Sequence, residues 1–373
     1  MAESAKSDIS SAEGAGEPLT HTPLRRTENL TKHFHIGGFR GGHLLHAVDA
    51  VNISIEEGEI VGLVGESGSG KSTIARLLAM VYKPTEGRIE FRGKPLDELR
   101  SRKQVLAYRA QVPMVFQDPY SSLNPAHRVD NAIMRGLKLH RPELGHAARQ
   151  AEAERVLDAV GLSPPKLFLK KYPHEMSGGQ RQRIGFAQAL SYRPKLILAD
   201  EPVSMLDVSI RVGVLNLMAK LREEEGVSFL YITHDVASAR YVADRILVMY
   251  GGHVVENGPT DDVLHRPLHP YTELLLSAAP DPRMAVTVSA SDIGEPPHVV
   301  DPGEGCRFRW RCPYAADICE QATPLLRTIS PGRSAACHLA TAELGLPTKK
   351  TRVPTALVSA DPPATVFGVR PES

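Results

Sequence analysis

Apolar and polar residues alternate along HAVDAVNISIEEG, from His46, and give way to an apolar run from Ile60 to Val64. That change of pattern predicts an edge strand leading into a strand buried on both faces. After a glycine-rich loop, KSTIARLLAMV sets Ile74, Leu77, Leu78 and Val81 on one face of a helix. LILAD (196–200) and VSFLYITHD (227–235) repeat the buried-strand pattern. Between the first and second buried strands, about residues 128 to 192 have helical spacing. There ARQAEAERVLDAVGL is amphipathic and stops at Gly161. Strands alternating with helices predict a mostly parallel sheet covered on both faces, an α/β fold.

Order is expected to begin near Leu30, with residues 1–27 a disordered tail rich in Ala, Ser, Gly and Glu. The main domain is placed at 28–270, with a helical subdomain at about 119–192. Beyond Tyr271 proline and cysteine become frequent and periodicity fades, which marks a small extension at 271–340. Residues 341–373 read as a flexible tail. No internal repeat is present, so one copy of the core is expected. A net charge of +1 gives no electrostatic reason to expect nucleic acid as a partner. No apolar run approaches the roughly 20 residues that span a bilayer, and the N-terminus lacks the apolar core of a signal peptide. A cytosolic chain is therefore expected, whose four cysteines are thiols or metal ligands rather than disulfides.

GESGSGKS (65–72) fits the phosphate-loop pattern G-x-x-x-x-G-K-[ST] and stands between the buried strand and the amphipathic helix, as that motif requires. Its glycines let successive N–H groups converge on phosphate oxygens at a helix N-terminus. Gly65, Ser67, Gly68, Gly70, Lys71, Ser72 and Thr73 are the residues assigned to nucleotide. Lys71 would reach the β- and γ-phosphates and the Ser72 hydroxyl would bind Mg²⁺. LILADEP ends a buried strand in Asp200 and Glu201, at the carboxyl edge where open α/β sheets take ligands. Asp200 suits the Mg²⁺ shell, and Glu201 can orient and deprotonate an attacking water. These residues alone leave kinases, GTPases, motors and transporters open.

Motif order narrows the choice. VFQDPYSSLNP, MSGGQ, SMLD and ITHD follow in the sequence that resembles the ATP-binding subunit of ABC transporters, over most of residues 30–270. The resemblance implies a P-loop NTPase with a RecA-like core, a helical subdomain, and ATP and Mg²⁺ as ligands. It makes Gln117 the residue that senses γ-phosphate and water and contacts Mg²⁺, and His234 the switch histidine. Asp207 becomes the D-loop carboxylate and Phe34 the ring that stacks on adenine. Met176 and Met205 replace the family's usual Leu and Ala. Ser177, Gly178, Gly179 and Gln180 form the signature, a capped helix start with exposed N–H groups. In the family it closes on ATP held by the opposite subunit. RPLHPYTELLLSAAPDPR (266–283), through His269, Pro270 and Tyr271, resembles the C-terminal extension of oligopeptide and dipeptide importer ATPases. Cys306, Cys312, Cys319 and Cys337 match that extension's cysteine pattern. Three readings stand for them: a 4Fe–4S cluster, zinc, or plain thiols. Arg307, Arg309 and Arg311 alternate around Phe308 and Trp310, which predicts a strand with a solvated basic face.

The resemblance further implies a second ATPase subunit, two membrane permeases and an extracytoplasmic binding protein as partners, at the cytoplasmic face of the membrane. Peptide is the first choice of cargo; oligosaccharide or metal chelate is the alternative. Soluble ABC ATPases acting on DNA carry long inserted coiled coils, which the stretch between phosphate loop and signature is too short to hold.

Overall fold

The computed structural model describes residues 22–37, 42–118, 123–277 and 299–340. The two tails beyond residues 22 and 340, part of the Gln117 loop and the end of the RPLHPYTELLLSAAPDPR stretch lie outside the described residues. Among the described residues thirteen strands run in chain order: β1 (Arg25–Ile36), β2 (His43–Val51), β3 (Ser54–Ile55), β4 (Ile60–Val64), β5 (Glu86–Phe91), β6 (Lys94–Pro95), β7 (Met114–Val115), β8 (Leu196–Asp200), β9 (Ser228–Thr233), β10 (Arg245–Tyr250), β11 (His253–Pro259), β12 (Arg327–Ser330) and β13 (Arg333–Ala335).

They form two sheets. The larger has the order β12-β13-β11-β10-β4-β9-β8-β7, parallel from β10 through β7 and antiparallel at the β11–β13 end. Every residue of β4, β8 and β9 is buried, which is why these segments read as unbroken apolar runs. The smaller, antiparallel sheet is β2-β1-β5-β6, with β3 paired to β1. Helix Lys71–Leu78 buries Ile74, Leu77 and Leu78 among β4, β8 and β9 residues. Val81 lies past the helix end and is exposed, so the expected four-residue face has three members. Helices Val129–His140, His146–Ala159, Pro165–Lys170 and Gly178–Leu190 fill the stretch between β7 and β8. Gly161, at φ +74°, follows the second of them, a conformation that a side chain strains.

Two expectations about the ends of the core are revised. Order starts before Leu30 and before residue 28: β1 begins at Arg25, and Leu24 and Arg25 are buried, the latter donating from Nη2 to the carbonyl of Leu78. The segment after Tyr271 is joined to the core rather than appended to it, because β13 pairs with β11 and so lengthens the main sheet. Its anchor is Glu256 on β11, fully buried and saturated with donors. The N–H groups of Leu268 and His269, the Thr272 hydroxyl and the Arg333 guanidinium all reach its carboxylate. A buried carboxylate without such donors would cost several kcal/mol, so removing any one of them weakens the seam. Among the described residues no helix is long and apolar enough to cross a membrane.

Candidate nucleotide site

The phosphate loop leaves the carboxyl end of β4 and turns into helix Lys71–Leu78. Gly70 has φ +106°, and a Cβ there would stand 2.1 Å from the carbonyl oxygen of Ala47 on β2. Backbone and β2 therefore approach so closely that only glycine fits. Lys71 is 5% exposed and donates from Nζ to the carbonyls of Gly65 and Glu66, each at 2.7 Å. Burial pulls its pKa down to about 8, against the opposing pull of Glu201, Asp200 and Glu66.

The Ser72 hydroxyl donates to Asp200 Oδ1 at 2.9 Å. Asp200 ends β8, and burial raises its pKa, with the Ser72 hydrogen bond opposing. Glu201 follows at φ +47°, a left-handed backbone that costs a non-glycine residue about 1–3 kcal/mol. Its N–H donates to the Ile232 carbonyl at 2.9 Å, which fixes that turn. The strained turn presents the carboxylate to two partners from other loops. Gln117 donates from Nε2 to Glu201 Oε2 at 3.1 Å, and His234 Nδ1 stands 3.2 Å from Oε1.

A cleft of about 330 Å³ opens over the loop, lined by Ser67, Gly68, Gly70, Lys71, Ser72, Thr73 and Glu201 together with Phe34, Leu45, His46, Ala47 and Val299. Phe34 is half-buried, edge-on to Tyr82 with centroids 5.4 Å apart. Its place in the wall is where a base could stack above the phosphates. Paired oxygens from Ser72 and Asp200, with Gln117 and Glu201 alongside, are a donor set suited to Mg²⁺, which keeps several of its own waters.

The signature lies elsewhere. Ser177 caps helix Gly178–Leu190: its Oγ accepts from the Gln180 N–H and Gln180 Oε1 accepts from the Ser177 N–H, a closed capping box. A Cβ on Gly179 would meet Ile210 at 2.4 Å. Arg181 and Arg183 turn inward, donating to the carbonyls of Pro173 and Met176 and of Val160 and Gly213. They hold the helix in place, so only its capped end is offered outward. None of Ser177, Gly178, Gly179 or Gln180 lines the cleft over Lys71. Asp207 precedes helix Val208–Glu225 without a side-chain cap bond and is exposed, between exposed Met205 and Val208.

The extension differs most from expectation. Arg309–Arg311 is a turn of 3-10 helix, not a strand, because Phe308 is buried against Tyr250 and Tyr271 and turns the chain around it. Arg311 and Arg307 point to the core, toward Glu66 and Asp49. None of the four cysteines is in a disulfide; Cys319 and Cys337 are buried and the other two half-buried. Burial, with the neighbouring thiols adding to it, pushes Cys306 up to about 11 and Cys312 up to about 12. Among the described residues, the one set of histidine, cysteine or acidic side chains converging within 4.8 Å is His33, His46 and Asp49. The four sulfurs do not reach the spacing that a single tetrahedral zinc requires. Asp49 and Val299 escaped the sequence reading altogether, and Arg311 was read as part of a solvated face. Tyr271 was marked only as part of a motif, and its hydroxyl accepts from the Glu66 N–H of the phosphate loop at 2.8 Å.

Comparison with known proteins agrees with this geometry. Residues 48–204 match the ABC transporter family model, and residues 255–319 match that of the oligopeptide/dipeptide transporter C-terminal region. The chain is 46% identical to YkfD of Bacillus subtilis over 86% of its own length and 97% of that protein's. It is 44% identical to the oligopeptide transport ATP-binding protein AppF of the same organism, covering 79% of this chain and 89% of AppF. Its structure is similar to the ATP-binding cassette MJ0796, solved as a dimer bound to ADP and phosphate after hydrolysis. There the TM-score is 0.56 and the identity 30%, with 64% of this chain and 99% of that one covered. With phosphate loop, strand-end carboxylates and C-terminal region all in place, the chain belongs to the ATP-binding subunits of ABC transporters, in the oligopeptide/dipeptide transporter family.

Proposed function

We propose that this chain is the Mg²⁺-dependent ATPase subunit that energises import of oligopeptides or dipeptides. One observation carries the reading: Gln117, Glu201 and His234, from three separate loops, meet within hydrogen-bond reach beside Lys71 and the Ser72–Asp200 pair. On binding ATP, Lys71 exchanges the Gly65 and Glu66 carbonyls for β- and γ-phosphate oxygens. Bound through Ser72 and Asp200 with Gln117 beside it, Mg²⁺ would supply neutralisation of the charge that builds on those oxygens. Glu201 orients the attacking water and takes its proton. His234 and Gln117 hold the carboxylate and answer to the γ-phosphate.

The second ATPase subunit is supported by what the cleft lacks. The signature is built and capped but stands outside its own chain's site, against Leu206 and Ile210 of the segment that also carries exposed Met205 and Val208. Two permeases and an extracytoplasmic binding protein complete the assembly, with this chain peripheral at the cytoplasmic face. A cleft of about 580 Å³ suits a permease element. Its lining includes Phe116, next in sequence to Gln117, and Gln182, which donates to the Phe116 carbonyl at 3.5 Å. An element seated there would act on Glu201 through Gln117. Reconstituted with its permeases and binding protein, the complex is expected to take up labelled di- to pentapeptides only when ATP is inside the vesicle. Uptake of oligosaccharide but not peptide would contradict the cargo assigned.

For the cysteines, a 4Fe–4S cluster is proposed on the count of four thiols in one short extension, near enough for Cys306, Cys312 and Cys337 each to feel neighbouring thiols. Raised thiol pKa values mean that loading releases protons and strengthens as pH rises. Anaerobic purification is expected to yield about four irons per chain on this ligand count. Stoichiometric zinc without iron, or no metal at all, would overturn it.

A further inference from the structure

The phosphate loop contains a carboxylate, Glu66, in the place where a polyanion must bind. Left alone, that charge would repel ATP and pull the loop toward solvent. It is not left alone. Arg311 grips it as a fork, Nη1 to Oε2 at 2.7 Å and Nη2 to Oε1 at 2.9 Å, with the guanidinium side chain 10% exposed. The same residue is held twice more along its backbone: its N–H donates to Tyr271 Oη, and its carbonyl accepts from Lys71. Two of these three holds come from outside the cassette's own phosphate machinery. Arg311 is itself fixed by aromatic rings, lying 5.6 Å from the centroid of Tyr250 and 6.0 Å from that of Phe308.

A parallel hold acts on the other wall of the cleft. Arg307 donates to Asp49 Oδ2 and to the Gly251 carbonyl. Asp49 in turn holds His46, a lining residue, at 2.8 Å and His33 at 2.9 Å. With Arg307 already on this carboxylate, the convergence of His33, His46 and Asp49 acts as a brace, and a cation there would meet a competing charge. Shortly before the segment 306–312, the Val299 carbonyl accepts from the His46 N–H at 2.8 Å and Val299 lines the cleft.

We infer that Arg311 is a positioning residue for ATP binding: through Glu66 it neutralises and fixes the phosphate loop, so the cysteine-bearing extension sets the affinity of the nucleotide site. This rests on the ATPase reading above. Arg311 does not line the cleft; its effect passes through Glu66. Bidentate pairing matters because the fork fixes both the charge and the direction of the carboxylate.

The test is the KM for ATP in the assembled complex, with ADP–Mg²⁺ titration of the full-length chain as the binding readout. Arg311→Ala is expected to raise KM about tenfold with kcat within about twofold, the size of effect seen when a residue coupled to a site is removed. Removing the stranded charge should then rescue it: Arg311→Ala with Glu66→Gln is expected within about threefold of the parent. A merely structural role would lower the folded fraction, cutting kcat at constant KM, and would give no rescue. If Arg311→Ala does not fold, Arg311→Lys, which keeps the charge but not the fork, is expected to raise KM about threefold. An unchanged KM in the folded single variants, or a double variant no better than Arg311→Ala, would overturn the role. Failure of the parent complex to hydrolyse ATP would instead tell against the ATPase reading itself.

Discussion

Glu201→Gln is expected to bind ATP as the parent chain does and to hydrolyse it about 10²–10⁴-fold more slowly, the range for loss of a general base. Gln keeps the shape of Glu and can still meet Gln117 and His234 by rotating its amide. It cannot take a proton from water. The left-handed turn at Glu201 is set by its backbone bond to Ile232, so the substituted side chain stays in place. Lys71, Ser72 and Asp200 are untouched, hence nucleotide binding persists. Single-turnover hydrolysis with ATP binding measured on the same preparation separates the two. Wild-type turnover in the assembled complex carrying Glu201→Gln would show that the base is another residue.

Much of the site was legible because its parts are local in sequence. A phosphate loop needs its strand, glycines, lysine and helix within a few residues, and GESGSGKS carries all of them between β4 and helix Lys71–Leu78. Asp200 and Glu201 were readable from the end of a fully buried run. What could not be read was long-range electrostatics. Arg311 and Glu66 are 245 positions apart, and alternation of arginines with aromatics at 307–311 looked like a solvated strand. Burying Phe308 breaks that alternation, and the two inward arginines then find Asp49 and Glu66. Likewise nothing in the fading periodicity after Tyr271 announced that β13 would join β11. The buried Glu256, which makes that seam, sits in HVVENGP beside polar His253 and Asn257, where nothing marks it as buried, and its partners Thr272 and Arg333 lie 16 and 77 positions along the chain. Cysteine spacing indicated a shared unit; it could not tell a zinc geometry from a wider arrangement.

The remaining large effect concerns the signature. Ser177→Arg places a bulky cation at the capped helix start and removes the capping box, which costs the chain about 0.5–2 kcal/mol and leaves it folded. Arg181 and Arg183 still anchor the helix through four carbonyls. Because Ser177 is absent from the cleft over Lys71, the variant's own nucleotide site is intact. In the assembled complex the result should be severe, since on the proposed shared site the blocked N–H groups are those that would meet a partner's γ-phosphate. Loss of such preorganised donors costs about 10²–10³-fold in turnover.

Hence the most direct measurement pairs two readouts on Ser177→Arg: ATP binding to the isolated full-length chain, and ATP turnover in the complex with its partner subunits. The structure predicts parental affinity in the first and turnover reduced about 100-fold in the second. If the isolated variant lost its own ATP, or if the complex turned over normally, the signature would serve this chain's site or none, and the shared-site account would be wrong.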